Sequence, residues 1–156
     1  MDLTTLISPD RCIVPLKATE RRAVIEEMVS HLAHEGIVSD PDAVTEVVWA
    51  RELERTTGIG EGLAVPHGRC PSLKSLAIAL GVTSTPIDFQ SFDRKPVRVV
   101  VLVLSPPDAI TDHIQVLGAI SRLMADRTFR RATLDCPSPE TLSNHFQAGL
   151  TAERAI

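Results

Sequence analysis

The sequence predicts an α/β sandwich, a mixed β-sheet flanked by helices. Three observations carry this. Two runs, 76–82 and 97–104, are aliphatic, partly β-branched and almost free of charge, as strands buried on both faces are. Both ends of the chain carry apolar residues at helical spacing. Between them lie short segments broken by glycine and proline, too short for helices. Helices outside and buried strands inside give layers of helix packed on sheet.

Residues 11–16 form a short apolar stretch fit for a first strand. Thr19 is expected to cap a helix reaching Gly36, with Val24, Ile25, Met28, Val29 and Leu32 as its inner stripe. Asp40-Pro41 opens a second helix, a capping side chain followed by a proline in the first turn. It carries Val44, Val47 and Val48 inward and ends near Glu54. A glycine-rich loop spans 56–62. The strand 63–65 ends at Pro66-His67-Gly68, where the chain is expected to reverse. A polar connection, 85–96, joins the two aliphatic strands and holds Phe89 and Phe92. After Ser105-Pro106-Pro107 the pattern gives a helix from 108 or 111 to 125 and a short helix over 127–134. Ser138-Pro139-Glu140 opens a last helix to about 148. The chain is thus one domain, 1–150, with a frayed tail, 151–156.

With 156 residues, the chain can bury roughly 68–70% of its unfolded surface and needs no staple to fold. Lys plus Arg is 16 and Asp plus Glu is 20, a net charge of −4. That balance, with one Trp, four Phe and no Tyr, argues against nucleic acid as a partner. No run approaches the ~18 apolar residues of a membrane helix, and the start lacks a signal-peptide pattern. The expected setting is cytoplasmic, with no membrane insertion. Cys12, Cys70 and Cys136 are scattered and form no C-x-x-C pair, so free thiols are expected.

Four features could carry chemistry. His67 stands between a proline and a glycine at a strand end, where polar groups of α/β folds face a crevice. It is either a nucleophile or general base, or a loop histidine with a satisfied hydrogen bond. Gly58, Gly60 and Gly62 could turn backbone N–H groups toward an anion, or simply make a flexible connection. Arg51 follows Val44, Val47 and Val48 by seven, four and three residues, which puts it on the apolar face of its helix. Its guanidinium either snorkels past the helix end or reaches the next loop to hold an oxyanion. His113 shares a stripe with Leu117, Ile120 and Met124 near a helix start, where desolvation and the helix dipole keep an imidazole neutral. His31 and His34 lie three apart and would permit a metal pair, but no third ligand is evident. Cys70 has no group to orient it as a nucleophile.

The run Arg51-Glu52-Leu53-Glu54-Arg55-Thr56-Thr57-Gly58-Ile59-Gly60-Glu61-Gly62-Leu63-Ala64-Val65-Pro66-His67-Gly68 resembles the signature of type-2 enzyme IIA domains of the bacterial phosphotransferase system, the fructose/mannitol and nitrogen-regulatory branch. Pro86-Ile87-Asp88-Phe89, Asp93-Arg94-Lys95-Pro96-Val97 and the helix Asp112-His113-Ile114-Gln115-Val116-Leu117-Gly118-Ala119-Ile120 are similar to that family too. The resemblance implies a mixed-sheet sandwich and a phosphoryl carrier with His67 as acceptor. Arg51 and His113 would be its companions, and the Gly58, Gly60 and Gly62 segment would supply amide donors. No metal or organic cofactor is implied. The implied donor is a histidine phosphocarrier protein. The implied target is a separate transporter subunit or a regulatory protein. The chain shows no fused membrane segment or appended domain, which leans toward the nitrogen-regulatory branch over a sugar-specific component. A metal-dependent hydrolase using His31, His34 and His67 is the remaining alternative.

Overall fold

The computed structural model describes residues 2–154. After two short 3-10 turns the chain forms β1 (Cys12–Leu16), α1 (Arg21–His34) and α2 (Pro41–Glu54). Three short strands and two long ones follow: β2 (Gly58–Gly60), β3 (Leu63–Ala64), β4 (His67–Arg69), β5 (Ala77–Ile87) and β6 (Val97–Ser105). The chain closes with α3 (Ile110–Ala125), α4 (Arg127–Leu134) and α5 (Pro139–Arg154). The sheet runs β1-β5-β6-β3-β2, and β4 also pairs with β6. It is mixed: β5 and β2 run antiparallel to β6 and β3, while β1 is parallel to β5, and β3 and β4 are parallel to β6.

The strand alternation builds two cores. In β6, Val99, Val101 and Val103 face one layer with Val116, Ile120, Phe146 and Leu150 of α3 and α5. Val100, Leu102 and Leu104 face the other, with Val24, Met28, Val44 and Val48 of α1 and α2. Each such side chain contributes roughly 1.5–3 kcal/mol by leaving water.

Several expectations are corrected. The chain does not reverse at His67. β3 and β4 run in one direction along β6, with Leu63 opposite Val99 and His67 opposite Val103. Proline interrupts them because Pro66 has no N–H, though its carbonyl still accepts from Val103 N at 3.0 Å. The 56–62 segment is a hairpin, β2 turning into β3, with Gly60 and Gly62 at φ +101° and +78°. α1 starts at Glu20 as N-cap, not Thr19, and no side chain caps it. Its entry is held instead by Glu27, whose carboxylate accepts from the backbone of Lys17 and Ala18 at 2.9–3.0 Å. α5 continues through Gly149, where a Cβ would strike the Phe129 ring, so this glycine permits close packing and does not stop the helix. Residues 151–154 are therefore helical, and Arg154 pairs with Asp2 at 2.8 Å. Positions 155 and 156 of the expected tail lie outside the described residues.

Candidate functional site

His67 owes its direction to the β4 alternation. Gly68 faces α2 so closely that a Cβ would meet Val47 and Val48 at 3.0 and 3.2 Å. Its neighbours His67 and Arg69 therefore face the α3 side. The His67 ring is half-buried, and Nδ1 lies 2.8 Å from Val65 O. A carbonyl only accepts, so Nδ1 carries the proton and Nε2 keeps its lone pair. Burial lowers the pKa of His67 below 6.5, opposed by the Val65 bond and aided by the charge of Arg51. The ring is thus neutral and nucleophilic at neutral pH.

His113 stands edge-on to it, with ring centroids 5.2 Å apart at 65°. Its Nδ1 shares a hydrogen bond of 2.7 Å with Ser105 Oγ. Ser105 ends β6 fully buried and is the register partner of Arg69. Burial, then the neighbouring His67 and Arg69, push the His113 pKa down to about 4. The unfolded chain therefore binds a proton that the folded chain refuses. Stability should fall as pH drops from 6.5 toward 4, by roughly 2 kcal/mol between about pH 7 and pH 5. Urea unfolding at the two pH values checks this. His113→Gln should flatten the dependence, and an unchanged slope in that variant would contradict the assignment.

Arg51 is half-buried in the last turn of α2 and donates from Nη1 to Arg55 O at 2.8 Å. It therefore closes the helix end and at the same time borders the crevice. Arg51, Thr57, Gly58, Val65, His67 and Leu117 line one cleft of ≈ 650 Å³. Beside Arg51, Glu52 is buried and accepts from Thr57 N at 2.8 Å and from Thr57 Oγ1. Glu52, Ser105 and Arg69 were not singled out by the sequence.

The glycines separate. Gly58 lines the cleft, and a Cβ there would strike Ser91 Oγ. Gly62 lines a different concavity, and Gly60 sits at the hairpin turn. The expected free amides are partly spent inside the loop: Gly58 N donates to Thr56 Oγ1 at 3.1 Å and Glu61 N to Asp93 Oδ2 at 2.8 Å.

The remaining histidines and thiols lie elsewhere. His31 Nε2 is bonded to Asp10 O at 2.7 Å, and His34 is exposed. Among the described residues no three His, Cys, Asp or Glu side chains group as a metal site, so His31, His34 and His67 do not converge. Cys70 is buried, which pushes its thiol up to about 11 and keeps it protonated. No helix among the described residues is long and apolar enough to cross a membrane.

Comparison with known proteins gives one answer. The family of the phosphoenolpyruvate-dependent sugar phosphotransferase system, EIIA 2, matches residues 5–149. The nitrogen regulatory protein of Bradyrhizobium diazoefficiens is 35% identical over 127 residues, covering 81% of this chain and 82% of that protein. The crystal structure of nitrogen regulatory protein IIA-Ntr from Neisseria meningitidis superposes with a TM-score of 0.84 at 25% identity, over 95% of this chain and 98% of that one. Mannitol enzyme IIA of Escherichia coli, solved in complex with phosphorylated enzyme IIB, shares the fold with a TM-score of 0.73 at 17% identity, over 94% and 97% of the two chains.

Proposed function

Because the chain belongs to the type-2 enzyme IIA family of the phosphotransferase system, we propose that it carries a phosphoryl group on His67 Nε2 and works in the nitrogen-regulatory branch. The observation that carries the site is the Nδ1 hydrogen bond to Val65 O, which leaves Nε2 as the free nucleophile. The donor is a histidine phosphocarrier protein. Nε2 attacks phosphorus in line, the N–P bond of the donor breaks, and the electron pair returns to the donor imidazole. As the His67 ring becomes cationic, the Val65 carbonyl stabilises its Nδ1–H. The protein contributes position and charge more than covalent chemistry.

The phosphoryl group brings nearly two negative charges into the cleft. Arg51 is the fixed cation on its wall, and Arg69 a second on the His67 face. His113, neutral and held by Ser105, lies beside the acceptor without adding a charge that would trap the phosphate. Gly58 lets the hairpin approach the cleft, while Gly60 and Gly62 shape its turn. Ile59 and Phe92, at 53% and 96% exposure, are large apolar side chains on the cleft lining, suited to a transient partner. The onward partner is a regulatory target or an enzyme IIB-type subunit, as mannitol enzyme IIA has in its solved complex. Among relatives matched over most of both chains, the regulatory reading is favoured by 35% identity to a nitrogen regulatory protein, against 27% to a fructose-specific enzyme IIA component.

Incubation with a charged phosphocarrier and detection of an acid-labile, base-stable phosphate tests the function. Arg51→Lys keeps the charge but loses the planar fork. It should slow single-turnover transfer about tenfold to a hundredfold with the fold retained, the scale of a lost charge-assisted hydrogen bond. A wild-type rate in Arg51→Ala would reduce Arg51 to the closure of its helix end.

A further inference from the structure

A second surface lies beyond the His67 cleft and shares no lining residue with it. At the start of β6, Arg94, Lys95 and Arg98 are all exposed. Across a shallow concavity of ≈ 290 Å³, α4 presents Arg130 and Leu134 over a floor that includes Val99 and Met124. Arg127 and Arg131 fall three before and one after Arg130, and the spacing 127, 130, 131, 134 puts all four on one side of α4.

The charge here opposes that of the molecule. Six cations stand in 94–98 and 127–131, against four carboxylates, Glu61, Asp93, Asp126 and Asp135, in a chain of net charge −4. Three of the four are already engaged, and Asp135 is exposed at the C-terminal end of α4. Asp93 accepts from the backbone of Glu61 and Lys95, and Asp126 caps α4 at Phe129 N. Glu61 is shared between Lys95 at 3.5 Å and Arg130 at 3.6 Å. Arg94, Arg98, Arg127 and Arg131 have no carboxylate within 4.0 Å among the described residues. Arg130 is the fixed member, at 18% side-chain exposure, with Nη1 donating to Met124 O and Ala125 O at 2.9 Å each. It closes the end of α3 and holds the apolar floor beneath the cations.

We propose that this face docks an acidic segment of a partner protein, one that brings several carboxylates and seats an aliphatic side chain on Met124 and Leu134. Charge complementarity selects the acidic partner, because four unpaired guanidinium groups gain carboxylates without breaking an existing ion pair. The apolar floor selects a peptide over a bare anion, since it rewards buried hydrocarbon. The position lets His67 stay open while the partner is bound. The β2–β3 hairpin joins the two places, with Gly58 in the cleft and Glu61 and Gly62 at the basic concavity.

The test uses the whole chain and a fluorescein-labelled twelve-residue peptide of glutamate with two leucines. Fluorescence anisotropy at low and at physiological salt gives the affinity, and amide NMR maps the footprint. Expected are shifts confined to 94–99 and 124–134, weakening with salt, and about tenfold weaker binding to R98E/R131E, the combined scale of a few exposed ion pairs. R98Q/R131Q should bind with intermediate strength, and its amide spectrum confirms the fold. The same peptide with glutamine for glutamate should not bind, and one with alanine for leucine should bind several-fold more weakly. Equal binding to the parent and R98E/R131E, or a footprint around His67, would overturn the proposal. So would inorganic triphosphate binding these residues where the peptide does not, which would make this a small-anion site.

Discussion

Replacing His67 with alanine is expected to abolish phosphorylation from a charged histidine phosphocarrier, by at least about a thousandfold, the scale of losing a covalent nucleophile. The other histidines offer no substitute. His113 is buried with Nδ1 tied to Ser105. His145 Nε2 sits between Thr133 Oγ1 at 2.9 Å and Phe129 O at 3.2 Å, stacked on the Phe129 ring. His31 is bonded to Asp10 O. His34 is exposed on α1 and has no cation or carbonyl fixed beside it in the His67 cleft. The fold should survive, because the half-buried ring contributes one hydrogen bond and little core. The chemistry also fixes the atom. Since Nδ1 donates to Val65 O, the phosphate belongs on Nε2, and long-range 1H–15N correlations of the phosphorylated protein distinguish the two nitrogens. Label retained by His67→Ala, or a product on Nδ1, would contradict this.

The two aliphatic strands and the terminal helices were legible because each carries a strong period. Val99, Val101 and Val103 alternate with Val100, Leu102 and Leu104, and the α1 stripe repeats at helical spacing. In the middle only β3 was, as the strand 63–65, because β2 and β4 are three residues long and exist only by pairing with β3 and β6. Such pairing is a long-range fact with almost no local pattern. Without it the direction of the chain at His67 was read as a reversal. Ser105 was missed for the same reason: its value lies in the register that sets it beside His113. Arg69 did have a signal, being two residues from His67 on a strand and so on the same face. Glu52 had one too. It follows Val44 and Val48 by eight and four residues, in line with the buried stripe of α2, where a lone charge must have a built partner.

Removing Glu52 should have the largest effect on stability. The Glu52 carboxylate is fully buried, accepts two bonds from Thr57, and faces Arg21 Nη1 at 3.8 Å. Arg21 is itself held over the Trp49 ring at 5.2 Å. Glu52→Ala leaves the Thr57 amide and hydroxyl buried without a partner and Arg21 without its counter-charge. An orphaned buried group costs ~1–3 kcal/mol and a broken buried pair ~3–5 kcal/mol. A loss of ~3–5 kcal/mol is therefore expected, a large part of a domain stability of ~5–15 kcal/mol. Glu52→Gln keeps the shape and one acceptor and should lose less than half of that. The effect should also reach the chemistry. Thr57 O accepts from Val65 N at 3.0 Å, and Val65 O in turn holds His67 Nδ1 at 2.8 Å. Glu52 thus stands at the far end of a short chain of bonds that fixes the acceptor tautomer. In urea unfolding followed by circular dichroism, Glu52→Ala should unfold at markedly lower denaturant. Single-turnover phosphorylation of its folded fraction should also be slower than for the parent protein. A stability within about 0.5 kcal/mol of the parent, the scatter of an ordinary surface change, would mean that Thr57 finds another acceptor. An unchanged rate per folded molecule would mean that Val65 is held by the strands alone.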